Sequence, residues 1–166
     1  MNKKGSGISI VLLFVATLAL SVSVVSATEP VTKSLTGTFF TPFNPDKVTI
    51  IPAGESGNAA WKFNDAPVVW TGDMNAASCV YNGNWLSKGG PLGQGGETVL
   101  TTGTYALKGV TIDGIDGTGD ITLGQNGGDL FVKSGSGDLT SIRGKGRITT
   151  TGMFTYSYEL EIQINP

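Results

Sequence analysis

The C-terminal stretch from Phe154 to Ile164 alternates without a break. Phe154, Tyr156, Tyr158, Leu160, Ile162 and Ile164 are apolar or aromatic, and Thr155, Ser157, Glu159, Glu161 and Gln163 are polar. In a strand, successive side chains point to opposite faces, whereas a helix would scatter both sets around its circumference. The first set is therefore expected to face a core and the second to face water, the pattern of an antiparallel sheet with one covered face. A closing strand of this kind fixes the architecture of its part of the chain as antiparallel sheet.

The preceding sequence agrees. Short apolar or β-branched runs are broken by Gly, Asn, Asp and Pro at all-β spacing, and no helix pattern interrupts them after the first residues. Strands are predicted at Leu35–Phe40, Lys47–Ile51, Ala60–Phe63, Val68–Asp73, Cys79–Trp85, Thr98–Val110, Gly119–Leu123, Leu130–Ser134, Gly144–Thr150 and Met153–Ile164. Asn82-Gly83, Asp113-Gly114, Asp116-Gly117 and Asn126-Gly127 read as hairpin dipeptides, because tight hairpin turns need positive φ. The run Gly89 to Gly96 reads as one long flexible loop. Eight to ten antiparallel strands in one small domain fit a closed barrel or a sandwich. Closure hides sheet edges, and a barrel of about eight strands is the expected form.

The first residues predict export. Lys3 and Lys4 precede an apolar run from Ile8 to Val25, and Val25-Ser26-Ala27 offers small residues for a signal peptidase before the polar Thr28-Glu29-Pro30. The domain boundaries follow: 1–27 a signal peptide helix, 28–166 a single all-β barrel domain. The alternative is an uncleaved anchor, since the run is long enough to span a bilayer. The expected location is secreted or extracytoplasmic, with a membrane role only if the signal stays attached. Without residues 1–27, nine basic residues face thirteen acidic ones. A mildly acidic domain is a poor partner for nucleic acid, whose binding rests on neutralised phosphates. Arg143, Lys145 and Arg147 share one face of a predicted strand and read as a solvated face that discourages edge pairing. The single Cys79 cannot form an internal disulfide and reads as a small buried residue.

The segment GSGDLTSIRGKGRI, Gly135 to Ile148, resembles the glycine-rich hairpin of exported proteins with the allene oxide cyclase-like barrel, a group distantly similar in shape to dirigent proteins. Gly103 to Ile121 looks like the long hairpin that precedes that motif, and Met153 to Ile164 matches the closing strand. The resemblance covers the last part of the chain and implies a calycin-like eight-stranded antiparallel barrel around an apolar cavity. It implies no catalytic residue, because the matching motif is a structural hairpin.

Chemistry is narrowed most by what the sequence lacks. There is no His, which removes Ser-His-Asp and Cys-His catalysis and most zinc sites. Glu159 and Glu161 share one strand face and read as solvated acids rather than a glycosidase pair. Asp113, Asp116 and Asp120 are the residue type a calcium loop uses, but the spacing of known loops is missing and turn residues explain them. The glycine-rich segments lack the Gly-Lys-Ser/Thr ending of a phosphate loop. No cofactor, no metal and no catalytic residue is assigned, and the balance leans away from an enzyme. Aromatic residues remain: Trp61, Trp70, Trp85, Tyr105, Tyr156 and Tyr158 are the candidates for lining a cavity, with core filling as the alternative. Three functions follow. The leading one is an exported barrel that binds a small apolar ligand in its cavity. The second is a structural or interaction protein of the cell envelope or surface with a filled barrel, and the third a cyclase- or isomerase-type enzyme.

Overall fold

In the computed structural model, which describes residues 29–53, 57–89 and 97–165, every regular element longer than a single 3₁₀ turn is a strand. In chain order these are β1 (Val31–Phe40), β2 (Val48–Ala53), β3 (Asn58–Pro67), β4 (Val69–Gly72), β5 (Met74–Lys88), β6 (Glu97–Ile112), β7 (Ile115–Asn126), β8 (Asp129–Gly135), β9 (Arg143–Gly152) and β10 (Thr155–Ile164). Each of the ten predicted runs is a strand, most of them longer than expected. The expectations for residues 1–27 and for most of the loop after Gly89 fall outside the described residues. No described helix is long and apolar enough to cross a membrane.

The strands form one ten-stranded antiparallel sheet in the order β2-β3-β5-β6-β7-β8-β9-β10-β1-β4. From β5 to β10 it is a simple meander. The first strand then pairs with the last along its whole length, from Val31 opposite Ile164 to Phe40 opposite Thr155. The ladder does not close on itself, so the fold is barrel-like and differs from a closed eight-stranded barrel. The reason lies at Val68. The chain from Asn58 to Gly72 is almost continuous strand, but it changes partner there: β3 pairs with β5, and β4 pairs with β1. The Val68 N–H donates to the Cys79 carbonyl at 2.9 Å, which holds the junction against β5. Beyond the junction β2 joins the free side of β3 as an end strand.

The alternation of β10 is observed. Tyr158, Leu160, Ile162 and Ile164 are buried, and Glu159, Glu161 and Gln163 are exposed. Phe154 differs from expectation: it lies outside the strand in the two-residue turn before β10, at φ +57°. Of the hairpin dipeptides, Asp113-Gly114 is the turn between β6 and β7, and Asn126-Gly127 straddles the next one, with Asn126 ending β7 and Gly127-Gly128 forming the two-residue turn before β8; the other two are not turns. Asp116-Gly117 sits within β7, and Asn82-Gly83 lies in the middle of β5. The second case has a clear cause. The Asn82 side chain pins a bulge in β3, accepting from the Asp65 N–H at 2.9 Å and donating to the Asp65 carboxylate at 2.8 Å. Gly83 leaves room for the Tyr81 ring: a Cβ there would lie 2.4 Å from the Tyr81 hydroxyl.

Candidate functional site

The inner wall is dominated by aromatic rings contributed by strands far apart in sequence. Phe39 on β1 stacks on Trp70 of β4 with centroids 4.7 Å apart and planes parallel to 1°. Trp70 also meets Tyr158 at 4.7 Å and Tyr105 at 5.6 Å. Tyr105 continues to Tyr81 at 4.7 Å, and Tyr81 to Trp85 at 6.1 Å. Trp85 meets Tyr156 at 6.1 Å, and Tyr156 returns to Phe39 at 4.9 Å. These separations are those of favourable offset or edge-on pairs, each worth ~1 kcal/mol beyond its burial. Five of the six sequence candidates, Trp70, Trp85, Tyr105, Tyr156 and Tyr158, thus join one ring-to-ring network. Trp61 lies beside it, in register with Trp85 across β3 and β5 and bonded through Nε1 to the Ser87 hydroxyl at 3.2 Å. Along this network the interior is occupied by side chains in contact.

The polar tips of these rings are mostly satisfied inside the protein. Trp85 Nε1 donates to the Tyr81 hydroxyl at 3.0 Å, and that hydroxyl donates to the Thr102 carbonyl at 3.1 Å. The Tyr105 hydroxyl donates to Gln125 Oε1 at 2.9 Å, while Gln125 Nε2 donates to the Thr101 hydroxyl and the Gly127 carbonyl. Burial pushes the Tyr81 phenol up to about 12 and raises those of Tyr105, Tyr156 and Tyr158. All four are neutral near pH 7. Trp70 Nε1 sits near enough to the Tyr158 hydroxyl to influence its titration but falls short of hydrogen-bond geometry, and it is buried without a partner. The buried polar side chains among the described residues are Thr41, Ser87 and Gln125. Asp120, one of the calcium candidates, is engaged on the surface by Lys108 at 2.8 Å and the Gly109 N–H at 3.1 Å.

At one end the aromatic network reaches the surface. The C-terminal ends of β1 and β5, the turn between β7 and β8 and the turn between β9 and β10 all lie at this end. Phe43, just after β1, is half exposed and stacks on Phe154 at 6.1 Å, and Phe154 stacks on buried Trp85 at 6.0 Å. The Phe154 carbonyl accepts from the Thr41 N–H at 3.0 Å, tying the turn to the chain leaving β1. A bulky residue at positive φ is disfavoured. Here the hydrogen bond and the two ring contacts hold Phe154 in place as a step between a solvent-facing ring and the core. Met153 beside it is 65% exposed. Sequence reasoning placed Phe154 inside a strand and passed over Phe43; the period-of-two pattern carries no mark of where the turn ends.

No family model matches the sequence, and no curated protein matches it. Among solved structures, a protein of unknown function from the DUF3224 family of Shewanella oneidensis MR-1 aligns over 82% of this chain and 99% of its own, with 19% identity and a TM-score of 0.45. A pterocarpan synthase dirigent protein aligns over 92% of this chain and 99% of its own, with 12% identity and a TM-score of 0.43. At these values neither similarity transfers an activity, and the functional reading rests on the site itself.

Proposed function

We propose that this chain is an exported, barrel-like binding protein that takes a small apolar, ring-bearing molecule at the mouth formed by Phe43, Met153, Phe154 and Trp85. The observation that carries this reading is the continuous stack from a half-exposed ring, through a strained Phe154, to a buried tryptophan. Residues held in unfavourable backbone conformations concentrate where a surface is shaped for use. An incoming apolar ring extends the stack and covers exposed carbon. The leading expectation from sequence is thereby moved from the barrel interior, which is packed with rings along the network, to its end. Export rests on residues 1–27. Placement among allene oxide cyclase-like barrels rests on the residues of Gly135 to Ile148.

The test is a titration of the purified protein with an anilinonaphthalene dye, followed by dye emission and by quenching of tryptophan fluorescence. Saturable binding that is weakened at least tenfold in Phe43→Ala and Phe154→Ala supports the mouth. Saturable binding indifferent to both substitutions places the ligand elsewhere, and no saturable binding removes the proposal. The filled interior and the exposed outer-wall pair of Phe40 and Val69, cross-strand neighbours on β1 and β4, favour the interaction-protein reading as the second choice.

A further inference from the structure

The strand β2 ends the sheet. It pairs with β3 alone, and among the described residues nothing pairs with its other side. Its sequence, VTIIPA, carries no charge, and Ile50 and Ile51 are 42% and 52% exposed on opposite faces. Natural sheets protect such an edge with lysines, proline or a cover, because unpaired N–H and C=O groups recruit another strand. Here the only protection within the strand is Pro52.

Pro52 also shows which groups are free. In a paired strand the N–H and C=O of alternate residues point to the same side, and proline is tolerated where its missing N–H would face away from the partner. Pro52 is therefore on the outward parity, with Val48 and Ile50. The free edge presents two donors, the N–H groups of Val48 and Ile50, and three acceptors, the carbonyls of Val48, Ile50 and Pro52. Antiparallel pairing with an identical edge about a two-fold axis at Ile50 sets Ile50 against its copy and Val48 against Pro52. In that register every free donor of both copies meets a carbonyl, and the missing donor of Pro52 falls opposite a Val48 carbonyl that it leaves open. Lys47, the charge that flanks the strand, lies at opposite ends of the paired ribbon in the two copies, roughly 20 Å apart at ~3.4 Å per residue. A parallel pairing would set the two lysines side by side.

We propose that the β2 edge is the contact of a reversible homodimer in which two sheets join through antiparallel β2 strands. A six-residue strand pair buries well under the roughly 1,200–2,000 Å² of a standard interface, so the dimer is weak and forms at micromolar to millimolar protein.

The experiment is sedimentation velocity on the purified protein across that concentration range, paired with amide hydrogen exchange. The expected result is a concentration-dependent rise from monomer toward twice its mass, with slower exchange at Val48 and Ile50 as concentration increases. Ile50→Lys places two ammonium groups against each other at the axis and is expected to stay monomeric throughout while keeping the β-sheet circular dichroism of the parent. A monomer at every concentration, association undiminished in Ile50→Lys, or exchange at Val48 and Ile50 that ignores concentration overturns the proposal. The exchange measurement decides the matter on the parent protein even if the variant folds poorly.

Discussion

Replacing Gly83 by alanine tests how the aromatic interior is assembled. The residue reads as half of a hairpin dipeptide, but it lies mid-strand opposite Gly103, beneath the Tyr81 side chain. An added Cβ falls 2.4 Å from the Tyr81 hydroxyl, 2.5 Å from Cζ and 2.4 Å from the Thr102 carbonyl oxygen. Ordinary contact begins at 3.4 Å, so the methyl is about 1 Å too close to a ring on one side and to backbone on the other. Overpacking of this kind costs ~1–3 kcal/mol. If the ring yields, Trp85 Nε1 loses its acceptor and becomes a buried orphan, which adds ~1–3 kcal/mol. The expected destabilisation is about 4 kcal/mol, a large share of the roughly 5–15 kcal/mol available to a domain. At ~3 °C per kcal/mol for this size, Tm should fall by about 12 °C, with an early change in tryptophan emission. Gly128→Ala is the control, because its nearest neighbour would be the Ile148 carbonyl at 3.5 Å, an ordinary contact. A Gly83→Ala protein that melts with the parent would refute the account of Tyr81 lying across glycines.

Other outcomes follow from single contacts. The Tyr158 hydroxyl accepts from the Met74 N–H at 3.3 Å, and Tyr158→Phe should lower stability by ~1 kcal/mol, or about 3 °C in a thermal melt, by leaving that buried N–H unpaired. The Asp73 carboxylate accepts from the Thr36 N–H and hydroxyl, and Asp120 from Lys108 and the Gly109 N–H; both carboxyls are held below their ordinary 3.8. A depressed folded-state pKa stabilises above the unfolded value and is lost as pH falls through the folded one. The melting temperature should therefore drop as pH is lowered below 3.8, and less steeply in an Asp73→Asn/Asp120→Asn double variant; equal slopes would contradict this. Burial pushes the Cys79 thiol up to about 12, so iodoacetamide at pH 8 should label it only after unfolding in urea, as read by intact mass.

Much of the fold was legible because burial imposes a period. The alternation from Tyr156 to Ile164 is written in residue types, and it survives in the structure as buried Leu160 beside exposed Glu159 and Glu161. What escaped is set by neighbours distant in the chain. Asn82-Gly83 looks like a turn locally, yet it serves a bulge at Asp65 and a ring at Tyr81. The change of partner at Val68 depends on β1 arriving beside β4, where a Cβ on Gly72 would come within 2.5 Å of Gly37 Cα. The aromatic candidates were found as residue types, and five of them meet. Their order from surface to interior depended on Phe43 and Phe154, whose partnership spans more than a hundred positions and leaves no local signal.

The pairing of β1 with β10 has a consequence for how the molecule is made. Val31 meets Ile164 and Phe40 meets Thr155, so this ladder forms only after β10, more than a hundred residues on, has been synthesised. Pairings this remote in sequence must bear the loop-closure entropy before any contact rewards it, and they belong to the slow end of folding, in milliseconds to seconds. The meander from β5 to β10 can form from local hairpins as it emerges, while β1 has only the four-residue β4 beside it. Strand β1 is thus made before the other described strands and is among the last to be locked in place, because its long ladder forms only when β10 arrives.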